Sequence, residues 1–294
     1  AEEEGWFSER NLDVTIVYAD SEREALDMIA SGKANFAFAS AENVITARAN
    51  GVPVRAVMQI YKNNPNGIAV TEGSATVEGL EGKRIGIPYD ASEFYIQSLI
   101  AENNINDKVT LVTLDYSIRQ PNPSEMADAL NQQVDGIMLW ATDVPLLKKE
   151  GVDAEFLSLS SYGLNYPSIA LVVSDSFMEE QEEVMLRTLN PIAKGLKWTV
   201  FSEASATRVL SESAPATYGD HDVTVPVTRS VRELIMSGAE TKSDVWGLAP
   251  VENYAGFLQF MTERGVLTTP LLAEDVTAVN DKIIAACTVS SAPA

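Results

Sequence analysis

The sequence predicts an α/β fold of two lobes, each a mostly parallel sheet flanked by helices, and three observations carry this expectation. Strand-like apolar runs alternate with helix-like runs between residues 12 and 173, a βαβ rhythm that favours parallel strands because each return needs a helical crossover. Twice a short strand runs into a polar turn that opens a helix, at Ser40-Ala41-Glu42-Asn43 and at Tyr89-Asp90-Ala91-Ser92-Glu93. The run Gly82-Lys83-Arg84-Ile85-Gly86-Ile87-Pro88 precedes the second of these turns and reads as the entry to a second lobe. Two helix N-termini beyond strand ends make the kind of crevice in which open α/β sheets hold small molecules.

In chain order, the first lobe is expected to hold a strand at 14–18, a helix at 21–31, a strand at 35–39, a helix at 42–50 and a strand at 54–60. Ser21 with Glu24 forms a capping-box pattern, and Gly32 and Gly51 stand where helices stop. The second lobe, 79–165, repeats the rhythm: strand 84–87, helix 92–103, strand 109–113, helix 123–132, strand 136–140, helix 143–150, strand 155–159. Asp90 with Glu93 and Asn122 with Glu125 are further capping boxes, the latter with Pro123 in the first turn. The turn-rich stretch 160–167 returns the chain to a strand at 169–173. Lobe one therefore comprises 1–78 and 166–294, with hinge crossovers near 70–82 and 162–169. From residue 176 the sequence is largely helical, with apolar positions at Val184, Leu186, Leu189, Ile192, Leu196 and Val200, and the Asn190-Pro191 step is expected to kink or interrupt the first of these helices.

Composition narrows the function. The 294 residues are 46% hydrophobic and 21% charged, which suits a chain with buried cores rather than a disordered one. A formal net charge of -21 argues against nucleic acid, whose phosphates need clustered Lys and Arg. No run approaches the ~20 apolar residues of a membrane span, and Ala1 followed by Glu2-Glu3-Glu4 reads as a mature start from which a signal peptide has gone. Cys287 is the single cysteine, so an internal disulfide and a cysteine metal cluster are both excluded. The single histidine, His221, lies in a loop-like stretch and reads as solvated. There is no nucleophile-and-base pattern, phosphate loop or His-Glu metal motif, so no catalytic residue, metal ligand or cofactor is assigned.

Several motifs carry a resemblance: Gly5-Trp6-Phe7-Ser8-Glu9-Arg10-Asn11-Leu12-Asp13-Val14, Ser31-Gly32-Lys33-Ala34-Asn35-Phe36-Ala37, Gly51-Val52-Pro53-Val54 and Leu80-Glu81-Gly82-Lys83-Arg84-Ile85-Gly86-Ile87-Pro88. They resemble the periplasmic substrate-binding proteins of ABC transporters, in the branch that binds thiamine pyrimidine precursors, riboflavin, nitrate and alkylsulfonates. Ser40-Ala41-Glu42-Asn43-Val44 and the stretch from Ile60 to Ile68 look most like the pyrimidine-precursor subgroup. The resemblance implies a type II periplasmic-binding-protein fold, a small-molecule ligand held between lobes, a membrane permease as partner and a monomer. It implies a periplasmic or membrane-tethered location, with the membrane reached only through the permease or a removed anchor. An oxyanion ligand is the alternative within the branch, and an enzyme on the same fold is the rival outside it. Two departures stand out. Lys62 occupies a position where the subgroup often has glutamine, and the strand that family members carry ahead of Gly5 is absent, so either the chain is incomplete or its first sheet is built differently.

The expected ligand-binding residues are Ser40, Glu42, Asn43, Tyr61, Tyr89, Asp90, Ser92, Glu93, Trp140 and Tyr162. Glu42 is either a helix-start acid favoured by the helix dipole or an acceptor for ligand N–H groups. Asn43 either contacts ligand or completes a cap with Ser40. Tyr61, Tyr89, Trp140, Tyr162 and also Tyr166 fall at strand ends or crossovers, where aromatic faces suit a planar ring. Asp90, Ser92 and Glu93 bring acceptors and backbone N–H groups to a helix start, although capping accounts for Asp90 and Glu93 as well. Asp143, beside Trp140, carries the same two readings.

Overall fold

The computed structural model describes residues 1–71, 73, 75–88, 90–105, 108–114, 122–236 and 244–290, the side chains of 90–92 excepted. It divides into two compact units. Unit 1 comprises Ala1–Asn63, Tyr166–Val209 and Arg232–Ala294, and unit 2 comprises Asn64–Asn165 and Leu210–Val231. The units divide between residues 63 and 64 and between 165 and 166, and residues 210–231 of the helical C-terminal part group with unit 2.

Unit 1 contains a three-stranded sheet of order β1 (Ala37–Ser40), β8 (Ile169–Ser174), β2 (Val54–Gln59). Both pairings are antiparallel, so this sheet departs from the mostly parallel expectation. The βαβ argument holds for β1 and β2, which run the same way, but β8 returns from unit 2 and enters between them. A register shift between Ala56 and Met58 bulges β2. The Ala56 carbonyl there accepts from Ala278 N at 2.9 Å and Thr277 Oγ1 at 3.2 Å.

Helix α1 (Glu22–Ala30) starts at Ser21, whose hydroxyl accepts from Glu24 N, while the Glu24 carboxylate reaches Asp20 N at 2.7 Å. The box is thus closed one residue earlier than the pattern suggests. Helix α2 (Ala41–Ala49) is capped by Ser40. Gly32 and Gly51 follow α1 and α2 in the left-handed region, where a Cβ is costly.

The strand expected at 14–18 does not form, and Ile16, Val17 and Tyr18 are exposed. Its β-favouring residues are not enough, because a strand exists only through its neighbour's hydrogen bonds. Among the described residues, Leu12 alone of 12–18 makes a backbone hydrogen bond, donating to the Phe7 carbonyl at 3.0 Å.

Unit 2 holds a five-stranded mixed sheet of order β5 (Thr110–Thr113), β4 (Arg84–Ile87), β6 (Gly136–Trp140), β3 (Asn66–Val70), β7 (Glu155–Ser158). β4 is parallel to both β5 and β6, whereas β3 is antiparallel to β6 and β7. Helices α3 (Asp90–Glu102), α4 (Pro123–Gln132) and α5 (Val144–Lys149) connect them. The Asn122–Glu125 capping box forms with both hydrogen bonds in place. An apolar core of Leu114, Met126, Leu130, Ile137, Leu139 and Leu147 sits between α4, α5 and one sheet face.

The later chain forms α6 (Asp175–Glu180), α7 (Glu182–Phe201), α8 (Glu203–Ser213), α9 (Pro215–Tyr218), α10 (His221–Ile235), α11 (Val251–Glu263), α12 (Ala273–Val276) and α13 (Asp281–Ala286). Pro191 does not interrupt α7, which runs unbroken through it. Pro191 is buried, and the Asn190 amide donates to the Ala286 carbonyl at 3.1 Å, so tertiary contacts hold the turn that lacks a backbone donor. His221 starts α10 rather than lying in a loop, and it is exposed. Trp246, Tyr254 and Phe257 are fully buried in unit 1.

Candidate functional site

Each unit gathers sequence-predicted residues at one sheet edge. In unit 1, β1 and β2 end where β8 begins: Ser40 lies opposite Ile169 and Gln59 opposite Ala170. The start of α2 and Tyr61 follow those strand ends. Two backbone bonds fix the edge, Ala41 N to Ser168 O at 2.8 Å and Tyr61 N to Ile169 O at 3.0 Å. Gln59 completes it: its amide donates to the Tyr61 and Ile169 carbonyls, both at 2.9 Å, and its oxygen accepts from the buried Tyr254 hydroxyl at 2.7 Å.

Glu22, absent from the expected set, organises the start of α2. One of its carboxylate oxygens accepts from Ser40 N at 2.8 Å, Ser40 Oγ at 2.7 Å and Asn43 Nδ2 at 2.7 Å. The side chains of Ser40 and Asn43 are thus engaged within the protein, and Ser40 also caps α2 through Asn43 N. Glu42, next to them in the first turn, is partly buried. Replacing Glu22 by alanine leaves the nearly buried Ser40 N–H without its acceptor, and urea unfolding is expected to register a loss of about 2 kcal/mol. A loss below about 0.5 kcal/mol shows the cluster to be replaceable by water.

In unit 2, β4 and β6 are parallel neighbours, and the chain leaves β4 for β5 on the other side. The end of β4 is therefore a topological switch point, where the helices diverge and leave a crevice. α3 begins beyond β4, and Trp140 and Asp143 lie beyond β6. β7, antiparallel to β3, ends at the same edge and continues into a 3-10 turn, Leu159–Tyr162. Trp140, Asp143, Tyr162 and the start of α3 are thereby brought to one edge. Trp140 and Tyr162 are partly buried. Glu93 is exposed and accepts from Gln97 Nε2 at 2.8 Å. Tyr89 and the side chains of Asp90 and Ser92 lie outside the described residues.

Tyr166 is not a free aromatic face. Its ring stacks on Phe257 and Phe260 of α11, with centroids 4.9 and 4.6 Å away, and so packs unit 1. Cys287 is fully buried, and burial pushes its thiol up to about 12, against a smaller downward pull from Lys62. Among the described residues, no helix is long and apolar enough to cross a membrane and no cluster of three or more potential metal ligands occurs.

Residues 1–204 match a family model described as NMT1/THI5 like. The chain is 24% identical over 284 residues to a formylaminopyrimidine-binding protein of Halalkalibacterium halodurans, covering 93% of this chain and 82% of that protein. A shorter match, 26% over 98 residues, joins it to a 4-amino-5-hydroxymethyl-2-methylpyrimidine phosphate synthase of Candida albicans, with 32% of this chain and 29% of the synthase covered. Among solved structures, the alkanesulfonate-binding protein SsuA from Xanthomonas axonopodis pv. citri, bound to MOPS, superposes with a TM-score of 0.70 at 16% identity, covering 95% of this chain and 93% of that one. At that identity the likeness establishes the fold, that of the periplasmic binding proteins.

Proposed function

Because this chain belongs to the NMT1/THI5-like family, we propose that it is the solute-binding component of an ABC importer and that its solute is a small flat N-heterocycle of the pyrimidine-precursor class. The observation that carries this reading is the breadth of the match to the formylaminopyrimidine-binding protein, 93% of this chain. The synthase similarity spans only 32% of the chain, and the one cysteine is too deeply buried and too weakly acidic to act as a nucleophile. On this reading the protein is a monomer outside the cytoplasm that hands its ligand to a membrane permease. Within unit 1, Glu42 and Tyr61 are proposed ligand contacts; within unit 2, Tyr89, Asp90, Ser92, Trp140 and Tyr162 are. Ser40 and Asn43 serve the same site by holding the start of α2.

A sulfonate is the second reading, favoured by the MOPS-bound fold neighbour. Thermal shift and calorimetry with formylaminopyrimidine and with MOPS separate the two. Formylaminopyrimidine at about 100 times its dissociation constant is expected to add roughly 2.7 kcal/mol of stability and to be recovered unchanged. Trp140→Ala is expected to weaken that binding about tenfold through loss of ring contact. Stabilisation by MOPS alone would reverse the ligand class, and chemical conversion of the pyrimidine would make the protein an enzyme.

A further inference from the structure

We propose that Asp143 is a ligand-contacting acid of unit 2, whose unpaired carboxylate oxygen takes an N–H or cationic donor from the bound solute. This rests on reading the protein as a binder of donor-rich N-heterocycles.

Asp143 stands at the N-cap position of α5, yet its side chain makes no capping bond. One oxygen instead turns back to accept from Trp140 N at 3.0 Å, and among the described residues no donor reaches the other. The carboxyl lies three residues beyond the end of β6, at the edge where β4 gives way to α3. That edge is the switch-point crevice, so the unused acceptor sits beside the place the topology opens for a ligand.

Among the described residues, no countercharge is paired with the carboxyl. α10 sets Val223 and Val227 against Leu146 of α5, with Tyr218 of α9 packed beside them. Tyr218 is the titratable neighbour that senses Asp143; burial and then that charge push its hydroxyl upward. His221, Asp222 and Arg229 on α10, Glu125 and Asp128 on α4, and Lys148 and Lys149 on α5 exert no resolved pull on the carboxyl. Burial raises it to about 6, against the smaller opposing effect of the Trp140 N–H. A recessed acid serving only structure is ordinarily paired, because an uncompensated charge costs several kcal/mol. One held without a partner at a crevice is what a donor-bearing ligand would complete.

Calorimetry of wild type and Asp143→Asn with formylaminopyrimidine and with MOPS, at about pH 5 and about pH 7.5, brackets the carboxyl's titration. The ring's own protonation is common to both proteins, so the difference between them reports Asp143. Wild type is expected to bind formylaminopyrimidine about tenfold more tightly than Asp143→Asn at the higher pH, and the gap is expected to close at the lower one. Equal affinities for formylaminopyrimidine with the same pH profile would overturn the assignment while leaving the pyrimidine reading intact, and equal affinities for MOPS alone would overturn both. Binding of MOPS alone, tighter in Asp143→Asn, would instead overturn the donor-rich ligand and keep Asp143 as a contact. Binding of neither probe overturns both.

Discussion

Gly67→Ala is expected to destabilise unit 2 by about 3 kcal/mol, near the upper end of what overpacking a core ordinarily costs. Gly67 sits in β3 between β6 and β7, opposite Leu139 on one side and Ser158 on the other. A Cβ there would lie 2.2 Å from Cζ of the Phe156 ring and 2.5 Å from the Leu157 carbonyl oxygen. The ring belongs to the partly buried fringe of the unit 2 core, and the carbonyl is backbone of the neighbouring strand, so neither yields cheaply. Gly86→Ala is the comparison. Its Cβ would approach the Leu114 Cδ1 at 2.8 Å, the far end of a flexible side chain, and its cost is expected near 1 kcal/mol. Urea unfolding of both variants checks the ranking, and a Gly67→Ala protein within about 0.5 kcal/mol of wild type would contradict the packing of β7 on β3.

The same glycine explains why β3 was hidden from sequence reading. Asn63-Asn64-Pro65-Asn66-Gly67 carries every mark of a turn. Its asparagines in fact tie down a crossover and strand start: Asn64 Nδ2 donates to the Leu164 carbonyl at 2.7 Å, and Asn64 Oδ1 accepts from Asn66 N and Nδ2 at 3.0 and 2.8 Å. Nothing local announces the first of these bonds, because Leu164 is 100 positions away in the chain. Elements whose signals are local were legible: the Asn122-Pro123-Glu125 start of α4 and the strands at 84–87 and 136–140 fall where expected. Strand direction was legible only in part. The βαβ rhythm orders β4, β5, β6 and β7, but it is silent on β3 and β8, which are placed by pairing rather than by helical crossovers.

Candidate site residues divided the same way. Positions at helix starts and strand ends could be read from the chain, which is why Ser40, Tyr61, Trp140 and Tyr162 fall at sheet edges. What each side chain does there could not. Ser40 and Asn43 answer to Glu22, some twenty positions earlier and in a helix of its own, and Tyr166 answers to the rings of α11. Asp143 showed the ambiguity most plainly, since capping and ligand contact use the same position; only the observed absence of a cap separates them.

The stability of unit 2 is expected to fall as pH rises through the titration of Asp143, opposite to the usual behaviour of a salt-bridged carboxylate. Its carboxyl is raised from the ordinary 3.8 to about 6 by burial, so the folded state holds the proton more tightly than the unfolded chain. Below about pH 4 the group is protonated in both states and costs nothing. Between there and about pH 6 the unfolded chain ionises first, and the penalty grows to its full value above pH 6. A displacement of about two units corresponds to about 3 kcal/mol at 1.36 kcal/mol per unit, and the partial solvent contact of the side chain trims this to about 2 kcal/mol. Asp143→Asn removes the charge while keeping size and the acceptor for Trp140 N. It should therefore match wild type near pH 4 and exceed it by that amount near pH 8, in urea unfolding without ligand. A variant less stable than wild type at both pH values would mean that the carboxylate is paired and favourable, and Asp143 would then be a structural acid with nothing left to offer a solute.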